Sequence, residues 1–348
     1  MYSESVEIKS IIIREVLKMR KITIRDVAKS VGCSYGTVSR YLNGHSGVHP
    51  NTRKRIQQAI EKLDYHPNMF ARGLVTKRSN TIAILVPDIA NPFFSEIVSN
   101  VEHVTHYNGY ELITCSAGWD IKAEARRIKM LQEKQIDGLI FKPNCESEDP
   151  FSAITIPFVS LSRVENSKFS YVEVENKIGA YMATSYLISR GYNKIAYIGG
   201  PRQSETSAER YSGYFQALQE NDFQINPKFT PFGNVTLKDG YITMKRLLDL
   251  EDRPDSVFCY NDLVAIGAQY AAIESELILP EELGIIGFDD ISLASLPQIQ
   301  LTTIAQPRDE IGRIAAEILI KTIEEKENGN YIQKVMLGPE LIVRKSTK

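Results

Sequence analysis

The sequence predicts an all-α helix-turn-helix head followed by an α/β body of two doubly wound lobes. Three observations carry that expectation. Residues 1–78 hold 15 Lys and Arg against 6 Asp and Glu, a net of +9, whereas residues 79–348 hold 26 against 37, a net of −11. Apolar residues recur at helical spacing through residues 22–66, interrupted by a tight turn. From residue 79 onward, short β-branched runs alternate with amphipathic helices.

In the head, Thr23-Ile-Arg-Asp26 fits a capping box, whose hydroxyl and carboxylate satisfy free N–H groups of a first helical turn. Ile24, Val27, Ala28 and Val31 then form an apolar stripe, and Gly32 stops the helix. Ser34 caps a second helix running to Asn43, with Val38, Tyr41 and Leu42 on its buried side. Pro50 opens a third helix, where Ile56, Ile60 and Leu63 recur at helical spacing.

In the body, TIAILVPD is followed by a helix from Pro92, ELITCSA by a helix from Ile121, and then comes DGLIFKP. After Pro157 the pattern repeats: KIAYIGGP and a helix from Ser207, SVFCYND and a helix from Leu263, then LGIIGFDD. Strands alternating with helices imply parallel sheets covered on both faces. Ligands in such sheets bind at the carboxyl ends of the strands. Pro87-Asp88, Lys142-Pro143, Asn261-Asp262 and Asp289-Asp290 all end strands, so polar residues there are site candidates.

The 348 residues suffice for two or three domains. A basic head on an acidic body suggests a polyanionic partner for the head. The four cysteines, Cys33, Cys115, Cys145 and Cys259, form no CxxC pair and read as buried free thiols of a reducing cytosol. No apolar run approaches the roughly 18 residues of a membrane span. The first residues, MYSESVEIKSIIIREVLK, do not read as a secretory signal. These features predict a cytoplasmic chain without a membrane partner. Five scattered histidines offer no metal-ligand spacing, and GxSxG, HExxH, GxxxxGK[ST] and strand-linked GxGxxG are all missing, so no metal, cofactor or catalytic residue is expected.

Two short helices joined by a tight turn put the second one in a DNA major groove, about 12 Å wide, with its N-terminal residues at base edges. Its outward face carries Tyr35, Gly36, Thr37, Ser39 and Arg40. Arg40 can donate two hydrogen bonds to a guanine, Tyr35 can stack or hydrogen-bond, and Thr37 and Ser39 suit phosphate or base contacts. Thr23, Ser34 and Asn43, at the helix ends, belong to the same DNA-binding set.

The stretch KITIRDVAKSVGCSYGTVSRYLNGHSGVHPNTRKRIQQAIEKLDYHPNMFARGLVTKRS resembles the head and hinge of the lactose-repressor (LacI/GalR) family of bacterial transcription regulators. The resemblance continues through IANPFF, GGP, AERYSGY, YNDLVAIGA, GIIGFDD and LTTIAQP and covers residues 21–348. It implies four parts: an N-terminal extension over 1–20 of unassigned role, a helix-turn-helix domain over 21–66, a hinge over 67–78, and a two-lobed effector-binding and dimerisation domain over 79–348, similar in fold to periplasmic sugar-binding proteins. It further implies a homodimer on double-stranded operator DNA, more a repressor than an activator, answering to a sugar-like small molecule. Ala71, Arg72 and Leu74 match the hinge pattern, in which a leucine wedges into a minor-groove step and kinks the DNA. Gly36 departs from the family: it carries no side chain to read a base, and it costs a helix up to about 1 kcal/mol relative to Ala.

For the effector, the resemblance assigns Arg210 to ligand oxygens, Asp289 to hydroxyls or amines, and Asn261 to the YND strand end. Gln306 falls at the crossover between lobes. Phe93 offers either a ring face to a sugar or base, or simply core packing. Trp119, the one tryptophan, lies in a strand-end loop, at the cleft mouth or in surface packing. Ser162 stands where many relatives carry an acid; Arg163 follows it, and Lys142 ends a strand. Losing an acid while gaining cations fits an anionic effector such as a sugar phosphate or sugar acid, unless Lys142 points to solvent. Two other readings stand beside this one: a regulator worked by a protein co-effector, and an enzyme with a fused DNA-binding head.

Overall fold

A computed structural model describes residues 22–42, 46–65, 78–144, 149–163, 168–325 and 331–348. Asn43, Cys145 and the hinge residues Ala71, Arg72 and Leu74 lie outside these. The chain divides into two compact units, residues 1–79 and residues 80–348.

The head comprises α1 (Ile24–Val31), α2 (Tyr35–Leu42) and α3 (Pro50–Leu63). The expected capping box forms: the Thr23 side chain accepts from the Asp26 N–H, and the Asp26 carboxylate accepts the Thr23 N–H at 2.9 Å and the Thr23 hydroxyl at 2.6 Å. Gly32 ends α1 with φ 70°, a left-handed conformation that glycine adopts without a Cβ penalty. Ser34 caps α2, its Oγ accepting from Thr37 N at 3.2 Å. Val27, Val31, Val38 and Ile56 close a small core.

The body holds two sheets. Lobe 1 is built on β1 (Thr81–Val86), β2 (Glu111–Ser116), β3 (Gly138–Phe141), β4 (Phe158–Ser160) and β5 (Ser170–Val174), with helices α4 (Pro92–Tyr107), α5 (Ile121–Glu133) and the short α6 (Asp149–Ser152) between them. Lobe 2 follows with α7 (Asn176–Ser189), β6 (Ile195–Ile198), α8 (Glu205–Glu220), α9 (Leu237–Leu248), β7 (Ser256–Cys259), α10 (Asp262–Glu274), β8 (Gly284–Asp289) and β9 (Thr302–Ala305). The C-terminal α11 (Arg308–Glu324) and β10 (Lys334–Leu337) return to lobe 1, and β11 (Glu340–Ile342) goes back to lobe 2. The strand orders are β10-β5-β4-β3-β1-β2, all parallel, and β11-β9-β8-β7-β6, parallel except for β11.

The chain therefore crosses between lobes three times, around Glu175, Gln306 and Gly338, and the two sequence blocks are not simply one lobe each. Two helices also start earlier than their apolar runs suggest. α8 begins at Glu205 behind the Ser204 cap, and α10 at Asp262 behind the Asn261 cap, because these side-chain oxygens accept from the third helical N–H. Helices α7 and α8 pack with backbones almost touching: a Cβ on Gly213 would lie 2.2 Å from the Lys177 carbonyl oxygen. Cys259 is buried as expected, but Cys33 and Cys115 are only half-buried. Among the described residues no helix is long and apolar enough to cross a membrane, and no cluster of His, Cys, Asp or Glu could hold a metal.

Candidate functional site

The carboxyl ends of the two parallel sheets face a shared cavity. It is lined by Phe93, Trp119 and Lys142 from lobe 1, by Arg210, Tyr260, Asn261 and Asp289 from lobe 2, and by Glu173, Asn176 and Gln306 at the crossovers.

The lobe 2 wall is a buried polar network. Arg210 is 4% exposed, with its guanidinium 3.6 Å from the Phe288 ring centroid and 4.7 Å from that of Tyr260. Its Nε donates to Asn176 Oδ1 at 3.0 Å and its Nη1 to the Tyr260 carbonyl at 2.5 Å. Nη2 stands 3.8 Å from Asp289 Oδ1, which also accepts from Gln306 Nε2 at 2.6 Å. Burial pushes the Asp289 carboxyl up from its ordinary 3.8 to about 6, against the opposing pull of Arg210. Asp289 is also strained, with φ 119°. Such a conformation costs on the order of 1–3 kcal/mol and survives where surroundings over-determine it. Here Arg308 Nη1 holds the Asp289 carbonyl at 2.5 Å and reaches that of Asp290 as well. Asn261 caps α10, its Oδ1 accepting from Val264 N at 2.9 Å. Behind it, burial raises the Asp262 carboxyl well above its usual range; Thr303 Oγ1 donates to it at 2.5 Å and Ile291 N at 2.8 Å.

The lobe 1 wall is more apolar. Phe93, in the first turn of α4, packs against the cores of both lobes, so it serves as packing and as cavity wall together. Trp119 lines the cavity and is 38% exposed. Lys142 turns inward: its Nζ donates to Thr206 Oγ1 at 3.1 Å and to Ser162 Oγ.

Two expected residues do not line the cavity. Ser162 is fully buried beneath Lys142, its backbone N–H donating to Ser160 Oγ at 3.1 Å. Arg163 turns away to Glu209, Nη2 to Oε1 at 2.5 Å, while its backbone N–H donates to Glu173 at 2.6 Å. The cation excess expected for the cavity therefore shrinks to Lys142. Conversely, sequence reasoning misses Glu173, Asn176, Thr206 and Tyr260. Glu173 and Asn176 flank the end of β5, and the strand-end rule finds them once SYVEV is read as a strand.

In the head, Ser34, Tyr35, Gly36 and Arg40 are exposed, Thr37 and Ser39 are half-buried, and Thr23 is exposed at the α1 cap. Arg40 Nε donates to the Gly36 carbonyl at 3.2 Å, which lays the guanidinium along its own helix.

Comparison with known proteins bears on both regions. A family model described as "Bacterial regulatory proteins, lacI family" matches residues 23–68, and one described as "Periplasmic binding protein-like domain" matches residues 184–347. The HTH-type transcriptional repressor PurR of Haemophilus influenzae (strain PittEE) is 35% identical over 331 residues, 94% of this chain and 98% of that protein. The ribose operon repressor of Halalkalibacterium halodurans is 34% identical over 326 residues, 94% of this chain and 97% of that one. Among solved structures, the lac repressor dimer bound to operator and the anti-inducer ONPF shares 25% identity at a TM-score of 0.83, covering 94% of this chain and 99% of that one. The transcriptional regulator CelR in complex with cellobiose shares 29% identity at a TM-score of 0.70, covering 93% and 99%. Similarity at this level along nearly the whole length, with a DNA-binding head model at one end and a ligand-binding-protein model at the other, has one reading: the chain belongs to the lacI family of bacterial regulatory proteins and is a transcription regulator, not an enzyme.

Proposed function

We propose that this chain is a homodimeric, cytoplasmic repressor whose hold on a pseudo-palindromic operator is set by a small sugar-like molecule bound between the lobes. The observation that carries the reading is the buried Arg210–Asp289–Gln306 network facing Phe93, Trp119 and Lys142 across one cavity. Such a wall offers guanidinium N–H donors and a carboxylate acceptor in fixed positions, as polyhydroxylated ligands require, while the aromatic rings suit the apolar side of a sugar. Operator recognition falls to Tyr35, Thr37, Ser39 and Arg40 on α2, with Thr23, Ser34 and Asn43 at the helix ends and Ala71, Arg72 and Leu74 at the hinge. Residues 21–66, 67–78 and 79–348 act as head, hinge and sensor. The relatives' names support the reading: one complex contains operator DNA, another a disaccharide. An anionic group on the effector would bind at Lys142.

The test is a thermal-shift screen of the full chain against neutral sugars, sugar acids and sugar phosphates, repeated on Asp289→Ala. A ligand at about 100 times its Kd adds roughly 2.7 kcal/mol of stability. At least one compound stabilises the wild type and fails on the variant. A screen in which no compound stabilises the chain, or in which Asp289→Ala responds equally, removes the cavity from the proposal.

A further inference from the structure

Away from the crossovers, two polar contacts that join the lobes both end on α8. Lys142 Nζ of lobe 1 donates to Thr206 Oγ1 at 3.1 Å. Arg163 of lobe 1 pairs with Glu209 at 2.5 Å. Thr206 and Glu209 are three residues apart, so one face of the helix carries both. The contacts differ in access. Lys142 and Thr206 line the cavity, where a ligand reaches them, whereas Arg163 and Glu209 do not.

We infer that the first two turns of α8 latch the lobes together, and that the Arg163–Glu209 ion pair sets how far the cleft is closed before any ligand arrives. The two contacts divide the work. A ligand entering the cavity meets the Lys142–Thr206 bond and competes with it or completes it. The ion pair lies outside the cavity and acts through lobe orientation alone, so Arg163 and Glu209 are positioning residues. Arg163 is held in place from behind: its backbone N–H donates to Glu173 Oε2 at 2.6 Å, which fixes the start of its side chain to β5. The Arg163 and Glu209 side chains are 42% and 23% exposed, so the pair is partly screened and biases an equilibrium without locking it. A bias of that size is what a switch needs, since a ligand moves a two-state equilibrium only by its differential affinity for the two states. The importance of lobe closure for operator binding rests on the proposed function; closure itself does not.

The chain carries its own reporter. Trp119 is the single tryptophan, sits on the lobe 1 wall of the cavity and faces lobe 2 residues across it. Opening exposes its ring, which raises quenching by acrylamide and shifts its emission to the red. The experiment compares the ligand-free full chain with Arg163→Met, Glu209→Gln and the double variant. Each single change moves the open-to-closed ratio by up to about fivefold, the equilibrium factor of a partly exposed ion pair, and quenching rises accordingly. The double variant is quenched no more than the stronger single, because the second change removes a partner already lost. In about 1 M NaCl, where the Debye length is about 3 Å, the wild type approaches the variants and the variants do not move. Quenching unchanged in both singles overturns the latch, and so does an additive double variant. Far-UV circular dichroism confirms that each variant is folded, and Glu209→Gln, which changes only charge, stands by itself if Arg163→Met does not fold. No effector enters the measurement, so a failed ligand screen leaves the latch standing and a failed latch leaves the screen standing.

Discussion

The two walls of the cavity are built on opposite principles. On lobe 2, Arg210, Asn261 and Asp289 are at most 4% exposed and are bonded to one another, to neighbouring side chains or to the backbone. On lobe 1, Trp119 and Lys142 are partly exposed and border a surface of Phe93, Leu161, Val172 and Val174. The difference suggests a division of labour. The buried network fixes where a ligand's polar groups go, and the softer wall closes on it. The lobe 2 residues are consequently part of the fold as well as the site, whereas on lobe 1 Trp119 and Lys142 can change with little harm to folding and the apolar residues beside them belong to the core.

The largest expected effect tests that coupling. Arg210→Ala strips the cation from beside a buried carboxylate and leaves the Tyr260 carbonyl and Asn176 Oδ1 without this donor. Removing one partner of a buried pair costs about 3–5 kcal/mol. Urea unfolding of the isolated variant reads this directly. A loss below about 1 kcal/mol would mean that water already reaches the site and that the wall is not preorganised.

A comparable effect should appear with pH. Burial raises the Asp289 carboxyl from 3.8 to about 6 in the folded chain, so between those values the folded state binds a proton that the unfolded state has lost. Stability from this group is fully present below 3.8 and is lost as pH rises through 6. A shift of about two pKa units corresponds to roughly 3 kcal/mol. Asp289→Asn, which mimics the protonated acid, flattens that part of the pH–stability curve. A ligand whose hydroxyls donate to the carboxylate binds with the opposite slope, more tightly as pH rises through 6. If the wild-type curve and that of the Asp289→Asn variant run parallel from pH 4 to 7, the titration belongs to another group.

The third expectation separates the site from the scaffold on one residue. Asn261 both lines the cavity and caps α10. Asn261→Ala costs about 1 kcal/mol through the lost cap. Asn261→Ser restores a cap oxygen, and most of that stability, without placing a charge beside the buried Asp262, but not the amide N–H groups. Thermal melting of the two variants gives the cap's share, and their ligand midpoints give the rest.

How much of this is legible in the sequence divides along the same line. The strand ends carrying Lys142, Asn261 and Asp289 stand out because apolar runs stop there, and the alternation of runs and helices reports the parallel sheets. The head is equally legible, since Gly32, Ser34 and Pro50 mark its helix boundaries by local chemistry. What stays hidden depends on distant partners. Arg163 looks like cavity charge because Glu209, its partner, is 46 residues away on another element. The three crossovers are hidden for the same reason: nothing local in the α11 sequence says that it packs on lobe 1, where it meets α4 and the β3–β5 strands. SYVEV is short and holds two polar residues among its five, so it does not stand out as a strand, and Glu173 and Asn176 are hidden with it.

The smallest effect on the fold concerns Lys142, where the two walls differ most. Its ammonium lies at the surface of the cavity and bonds to hydroxyls of Ser162 and Thr206. Lys142→Met keeps the length and apolar stem of the side chain while removing the charge. Its unfolding free energy should change by about 1 kcal/mol or less, the net range of an ordinary intramolecular hydrogen bond. Ligand binding is where the change shows. A hydrogen bond to a charged group contributes about 1.5–3 kcal/mol, so an effector with a carboxylate or phosphate at this position loses at least about tenfold in affinity. A neutral sugar presents only hydroxyls to the ammonium and loses less. Isothermal titration of wild type and Lys142→Met against a sugar acid and its neutral parent sugar compares the two losses. A larger loss for the acid supports an anionic effector, and equal losses rule it out. A large loss of stability in the same variant would contradict the division itself, because it would make the lobe 1 wall as much a part of the fold as Arg210.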